Sequence, residues 1–248
     1  MSEDQTGRVV VILGGTGGIG CAVARRFATA GARVAVVGRA DVARARAAAA
    51  ALPGAGHEGY AAALEDSASL AQLRDDVLRD AGRVDILINA GGMTQPVPHA
   101  DLDALTDELF DRVMAVNCRG AFAAVRAFAA PLRAHGAGLV INVSSIAATT
   151  GIGSSIAYCA AKAGLDVMGA ALARALAPAI RVMTVSPGIV DTQFVPGRDK
   201  AWADKQAATT PLRAIASPDD VARAVLACAT MLTFSTGSVI QVDGGRHL

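Results

Sequence analysis

The sequence predicts a single α/β domain: a mostly parallel sheet of about seven strands, doubly wound, with helices on both faces. Three observations predict it. Short β-rich runs alternate with longer, Ala-rich runs of helical length along almost the whole chain. Most of the strand runs are near-continuous β-branched or aliphatic residues, as in strands covered on both faces. Glycine and alanine are abundant while aromatics make up only 4%, and small residues let helices and strands pack closely.

In chain order, the first strand is expected over 8–13 and runs through a glycine-rich turn into a helix at 19–30. A second strand at 33–37 leads to a helix at 42–51, and a weaker strand near 58–63 to a helix at 67–80. The fourth strand, 84–89, precedes one long helix at 104–134; the fifth, 139–144, precedes a helix at 155–177. A sixth strand is expected at 180–185. The last helix, 218–230, opens with Ser217 as N-cap, Pro218 at its first position and two acids in its first turn, all favourable there. A final strand follows at 238–242, and the parallel crossovers are right-handed. Residues 8–248 thus read as one domain behind a flexible N-terminus, 1–7. The stretch 190–215, rich in Thr, Pro and Gly, reads as irregular. Lying after the sixth strand's C-terminal end, it suits a lid over the crevice where such sheets bind ligands.

Net charge is +1 with both signs interspersed, which argues against nucleic acid or an anionic membrane as a partner. No uninterrupted apolar run approaches the ~20 residues of a membrane span. The N-terminus is short and polar, with Glu3 and Asp4, unlike a secretion or transit signal. Cys21, Cys118, Cys159 and Cys228 are scattered, as are the four histidines, so no metal site is expected and the cysteines read as reduced packing residues of a cytoplasmic protein.

The turn Gly14-Gly15-Thr16-Gly17-Gly18-Ile19-Gly20 joins the first strand to the first helix. With Gly14, Gly18 and Gly20 as working glycines, the first permits the tight turn and the second lets the backbone approach a pyrophosphate. The third allows close helix–strand packing, and the helix N-terminus points its amides at the phosphates. Thr16, Gly17 and Ile19 complete that cradle. Its position in a strand–turn–helix context distinguishes it from a chance cluster in a glycine-rich chain. The fold expected is therefore Rossmann-like. The second strand ends Val37-Gly38-Arg39, where an NAD site commonly has an acid for the ribose 2′-hydroxyl. A guanidinium at Arg39 instead suits a 2′-phosphate, favouring NADP(H) over NAD(H). The alternative is an ordinary loop arginine, one of twenty in the chain.

Tyr158 and Lys162 are four residues apart in a helical run and so share one face. A phenol of pKa ~10 is a poor base at neutral pH, and a cation one turn away favours the phenolate. The chain has two tyrosines and three lysines, so the pairing is not expected by chance; a half-buried Tyr beside a snorkelling Lys is the plain alternative. Ser145 ends the fifth strand and, with no His or acid pattern nearby, reads as a hydrogen-bond donor to a carbonyl rather than a nucleophile.

With these residues the chain resembles the short-chain dehydrogenase/reductase family over nearly its whole length. The resemblance rests on the glycine turn, Asn89-Ala90-Gly91-Gly92, Asn117, Ser145, Tyr158-xxx-Lys162, Pro187-Gly188 with Thr192, and Val242-Asp243-Gly244-Gly245. It implies that Tyr158 exchanges a proton with the substrate oxygen and Ser145 orients that oxygen. Lys162 would hold the nicotinamide ribose, and Asn117 would anchor a water extending the proton path. Pro187, Gly188, Ile189 and Thr192 would meet the carboxamide, and Asn89, Ala90 and Gly91 would lie along the cofactor. Three departures concern cofactor support: Leu13 replaces the family's Thr, Ala90 its second Asn, and Ala63, followed by Leu64, stands where an Asp often meets the adenine.

The function expected is NADP(H)-dependent interconversion of a carbonyl and a secondary alcohol. A narrower alternative is reduction of 3-oxoacyl groups on acyl carrier protein, although 134–138 and 177–181 offer only His135 and Arg181 for docking an acidic carrier. A non-catalytic NADP(H)-sensing protein is a third reading, disfavoured by the intact proton-transfer set. Ala147, Ile152, Ile189, Phe194 and Trp202 suggest an apolar substrate pocket, with Ser145 and Tyr158 at its polar end. Helices 104–134 and 155–177 are apolar over much of their circumference, which predicts a homotetramer, or a dimer, built by helix packing.

Overall fold

Seven parallel strands form one sheet: β1 (Val9–Leu13), β2 (Arg33–Gly38), β3 (Glu58–Ala61), β4 (Ile86–Asn89), β5 (Gly138–Val143), β6 (Ile180–Pro187) and β7 (Val239–Val242). Their spatial order is β3-β2-β1-β4-β5-β6-β7. The chain leaves β1 in one direction and returns to its other side at β4, so strand order reverses there. This opens a crevice at the C-terminal ends of β1 and β4. The computed structural model describes residues 3–195 and 199–248; positions 1 and 2 of the expected N-terminal tail and 196–198 of the expected lid lie outside the described residues.

The strand sequences explain the layering. Val10, Ile12, Val34, Val36, Ile86, Ile88, Leu139 and Ile141 face one side and pack under α1 (Gly18–Thr29), α2 (Val42–Ala50) and α9 (Pro218–Thr230). The alternate residues Val9, Val11, Leu13, Val37, Leu87 and Val140 face α3 (Ser67–Ala81), α5 (Gly120–Arg133) and α7 (Ile156–Leu176). A smaller cluster, with Leu109, Val113, Ala157 and Ala161, joins α4 (Asp107–Met114) to α7. Burial on both faces is why the strands read as continuous apolar runs.

Helix starts follow sequence chemistry. Asp41, Asp66, Thr106, Ser155 and Ser217 each accept a first-turn amide on the side chain, and Ser217 and Asp220 complete a capping box. α1 starts on Gly17, with no side-chain cap. Its first amides are thus left for an anion.

Several expectations need correction. The helix expected at 104–134 begins at Asp107 and is interrupted by a π-helical turn, Ala115–Arg119, before α5. The weak strand stops at Ala61 because β3 is an edge strand with little to bury. A short helix, α6 (Ala147–Thr150), follows β5. The 190–215 stretch is not wholly irregular: α8 (Lys200–Thr209) lies in it, capped by Asp199, with no buried residue. Nor is 3–7 a free tail, since Gln5 is buried and its amide donates to Ala30 O at 2.6 Å. Asp107–Arg133 and Ile156–Leu176 are long and apolar enough to cross a membrane by length and composition. Both bury a face in this fold, through Phe128 and Leu132 on α5 and Leu165 and Ala173 on α7.

Candidate active site

The β1–α1 turn is shaped by close approach. Gly14 has φ +76°, and a Cβ there would sit 2.5 Å from Gly91 Cα. A Cβ on Gly20 would lie 2.1 Å from Gly14 O, so the first turn of α1 rests directly on the loop. Gly17, Gly18 and Ile19 line a cavity of about 900 Å³ with these glycines, Ala90 and Gly91. The uncapped amides, the absence of side chains and the concave backbone fit a dinucleotide pyrophosphate.

The proton-transfer residues meet at the same cavity. Ser155 caps α7 by accepting the Tyr158 amide, which fixes the helix start and aims Tyr158, one turn in, at the crevice. Lys162, one turn on, is buried; its Nζ donates to Val143 O at 2.8 Å and stands 5.7 Å from the centre of the Tyr158 ring. Phe194 also packs against that ring, tilted, with centroids 6.2 Å apart. Ser145 Oγ accepts the Ala147 amide at 3.2 Å, which orients its hydroxyl at the mouth of α6. Ser145, Ala147, Ile152, Phe194 and Trp202 all line the cavity, Ile152 at its exposed rim.

Pro187, Gly188, Ile189 and Thr192 line it too, from the end of β6 and the following loop. The Thr192 methyl would be 2.7 Å from a Cβ on Gly18, so this loop closes against the glycine turn. Asn117 lies in the π turn, buried. Its Nδ2 donates to Met93 O and Val113 O, and its Oδ1 accepts the Met93 amide. With both side-chain donors spent, the Asn117 amide clamps the segment that follows β4.

Five expected cofactor or catalytic residues do not line the cavity: Thr16, Arg39, Leu64, Asn89 and Asn117. The Asn89 side chain is directed into the sheet. The β4–β5 register pairs it with Asn142, and its Nδ2 donates to Asn142 Oδ1 at 2.8 Å inside the sheet. Leu64 packs against Gly91 instead. Thr16 lies beside Gly38, and its carbonyl accepts from Arg44. Arg39 is exposed and ion-paired with Glu65. Sequence reading missed Arg44 and Glu65 because their partners are remote in the chain. A cation at the start of the second helix, close behind Gly38, was the available signal for Arg44.

Burial pushes the Lys162 amine down to about 8, partly opposed by the Asp166 carboxylate one turn on. Burial raises the Asp166 pKa, against a hydrogen bond from Ser144 and the charge of Lys162. The folded pKa of Lys162 is below its unfolded value of ~10.4, so the unfolded chain binds more protons between the two. Folding is therefore penalised by this amine below pH 8 by about 3 kcal/mol, and the penalty is relieved as pH rises towards 10. Replacing Lys162 with Met is expected to stabilise the cofactor-free protein more at pH 7 than at pH 10. Urea denaturation at the two pH values checks this; a difference independent of pH would contradict it.

Comparison with known proteins agrees with this geometry. A family model described as enoyl-(acyl carrier protein) reductase matches residues 14–247. A protein described as ketoacyl reductase 2 of the granaticin polyketide synthase, from Streptomyces violaceoruber, is 38% identical, covering 97% of this chain and 96% of that one. D-threitol dehydrogenase from Mycolicibacterium smegmatis is 33% identical over 96% of this chain and 92% of its own. A crystal structure of a short-chain dehydrogenase/reductase from Brucella melitensis, described as a glucose/ribitol dehydrogenase, covers 100% of both chains at 28% identity with a TM-score of 0.92. Sheet order, glycine turn and end-to-end relatives agree, and the chain belongs to the short-chain dehydrogenase/reductase family of NAD(P)-dependent oxidoreductases.

Proposed function

We propose that this protein is an NADP(H)-dependent ketone reductase or alcohol dehydrogenase in which Tyr158 is the general acid and base. The observation that carries the reading is convergence: Tyr158, Lys162 and Ser145 border one cavity that the glycine turn also lines. The dinucleotide, when bound, supplies or accepts a hydride at its nicotinamide. The protein's own share is to hold the carbonyl oxygen and move its proton. Ser145, its oxygen already oriented by Ala147, donates to that oxygen, and Tyr158 supplies or takes the proton. Lys162 holds positive charge behind the phenol and favours phenolate. Gly14, Gly17, Gly18, Ile19 and Gly20 would hold the pyrophosphate. Pro187, Gly188, Ile189 and Thr192 would hold the nicotinamide end and Ala90 and Gly91 would lie along the cofactor, while Asn117 fixes the segment after Gly91.

NADP(H) preference is argued from charge. Arg39 follows Gly38 at the end of β2, where an acid would repel a 2′-phosphate, and Arg44 donates to the carbonyl of Thr16, which lies beside Gly38. The Arg39–Glu65 pair is exposed and so worth at most about 1 kcal/mol. A phosphate accepting charge-assisted hydrogen bonds outweighs it, at about 1.5–3 kcal/mol each. Oxidation of NADPH and NADH is to be followed against a carbonyl panel of acyl thioesters, sugars, steroids and small diketones. NADPH is expected to show the higher kcat/KM, and Arg39→Ala to reduce that preference about tenfold or more. A wild-type preference for NADH would overturn the role given to Arg39.

The granaticin relative favours a second reading, reduction of 3-oxoacyl groups on a carrier. Against it, Arg181 is turned inward, donating to the carbonyls of Cys228, Leu232 and Ser235 rather than offering a docking charge. A homotetramer is inferred from exposed apolar residues on the outer helices and near the sheet edge, Phe122, Val167 and Phe234. Sedimentation showing only monomer at working concentration would contradict it.

A further inference from the structure

The charge inside the cavity is one-sided. Among the described residues lining it are two cations, Lys162 and Arg246, and no Asp or Glu. Lys162 is committed to Tyr158. Arg246, close to the C-terminal Leu248, has no part in that chemistry.

Its surroundings are unusual for an arginine. Nη1 donates to Gln206 O, Thr209 Oγ1 and Thr210 Oγ1, each at 3.1 Å, and Nη2 to Gln206 Oε1 at 2.5 Å. Every acceptor is neutral and belongs to α8 or its C-cap, Thr210. Among the described residues no carboxylate lies within ion-pair distance; the adjacent Asp243 is taken by His247 at 2.7 Å. A guanidinium has five N–H donors and does not shed its proton. Four contacts therefore hold the group in place and leave Nε–H and one Nη2–H unspent, with the charge uncompensated. Half-buried fixed charge in a cleft favours a ligand of opposite sign. The pyrophosphate does not meet this need, because its cradle is the β1–α1 turn while Arg246 is anchored on α8, the helix that carries Trp202.

We propose that Arg246 is the anchor for an oxyanion on the substrate, remote from the reacting carbonyl. The substrate class is then an oxo or hydroxy acid, or an acyl chain whose carrier arm brings a phosphate. The carbonyl sits at Ser145 and Tyr158, and the anion accepts the unspent N–H pair of Arg246. This rests on the cavity being the site of carbonyl reduction, as proposed for Tyr158 and Ser145.

The test compares charged and neutral versions of one substrate with NADPH. One arm uses straight-chain oxo acids of increasing ketone–carboxylate spacing against their methyl esters. The other uses 3-oxoacyl thioesters of phosphopantetheine against those of pantetheine, which separates a phosphate from a carboxylate source. In at least one arm the wild type is expected to prefer the anion by about 10- to 100-fold in kcat/KM. Arg246→Gln should bring that ratio close to one, and Arg246→Lys should restore part of it. Equal losses on charged and neutral substrates would overturn the anchor and leave Arg246 as a tether of α8. So would a matching loss of NADPH affinity by calorimetry, which would make it a cofactor contact. Hexanoate titrated into the NADPH complex gives a readout without turnover: binding weakened tenfold or more by Arg246→Gln supports the anchor, and unchanged binding overturns it. A wild type that reduces esters and acids alike fails this inference alone. One that binds hexanoate through Arg246 yet reduces no carbonyl fails the reductase reading alone.

Discussion

Replacing Tyr158 with Phe is expected to lower kcat by about 10²- to 10⁴-fold, or about 3–5 kcal/mol of transition-state stabilisation. The substitution removes one oxygen and leaves the aromatic ring in place. Phenylalanine keeps the contact with Phe194 and the position over Lys162, and the α7 start depends on the backbone amide, which is unchanged. Only the hydroxyl proposed to carry the proton is lost. Steady-state kinetics with a reducible ketone, set beside NADPH affinity from cofactor fluorescence, separates the two effects. Affinity should stay within about threefold while turnover collapses. A variant retaining more than about a tenth of wild-type kcat would remove Tyr158 from the proton path.

The second large effect is expected at Gly20. An alanine there puts Cβ 2.1 Å from Gly14 O, and that oxygen cannot retreat, because Gly14 itself is held against Gly91. The strain must move α1 away from β1 and with it the amides of the phosphate cradle. Overpacking of this kind costs about 1–3 kcal/mol of stability. A displacement of the amides costs dinucleotide affinity as well, and Kd for NADPH should rise about tenfold or more. Calorimetric titration together with a urea midpoint measures both. Wild-type affinity in Gly20→Ala would mean that the turn is not the phosphate site.

Fold and site were legible in the sequence to different depths. Strands buried on both faces announce themselves as runs such as Val9–Leu13, and capped helices as Ser217-Pro218-Asp219-Asp220, because both signals are local. α8 was invisible for the opposite reason: it buries no residue, so it carries no apolar stripe to read. The proposed proton-transfer residues stood out because Tyr158 and Lys162 are one helical turn apart and Ser145 closely follows β5. The parts that escaped depend on partners far along the chain. Arg39 meets Glu65 across 26 residues, Arg246 meets Gln206 across 40, and the Asn89 side chain meets Asn142 across 53. Nothing in local composition marks such meetings.

The π turn at Ala115–Arg119 governs how two neighbours share one rod. Each residue added to a helix rotates the remainder of the rod by about 100°. A π turn holds one residue more than an α turn, so it swings the apolar stripe of α5 relative to that of α4. α4 can then present Leu109 and Val113 to α7, while α5 presents Phe128 and Leu132 to the sheet. One uninterrupted helix would have a single bearing and would serve one of those partners at the other's expense. Asn117 occupies the pivot, and its amide stitches the pivot to Met93, so the angle between the two halves and the path of the chain leaving β4 are set by the same side chain.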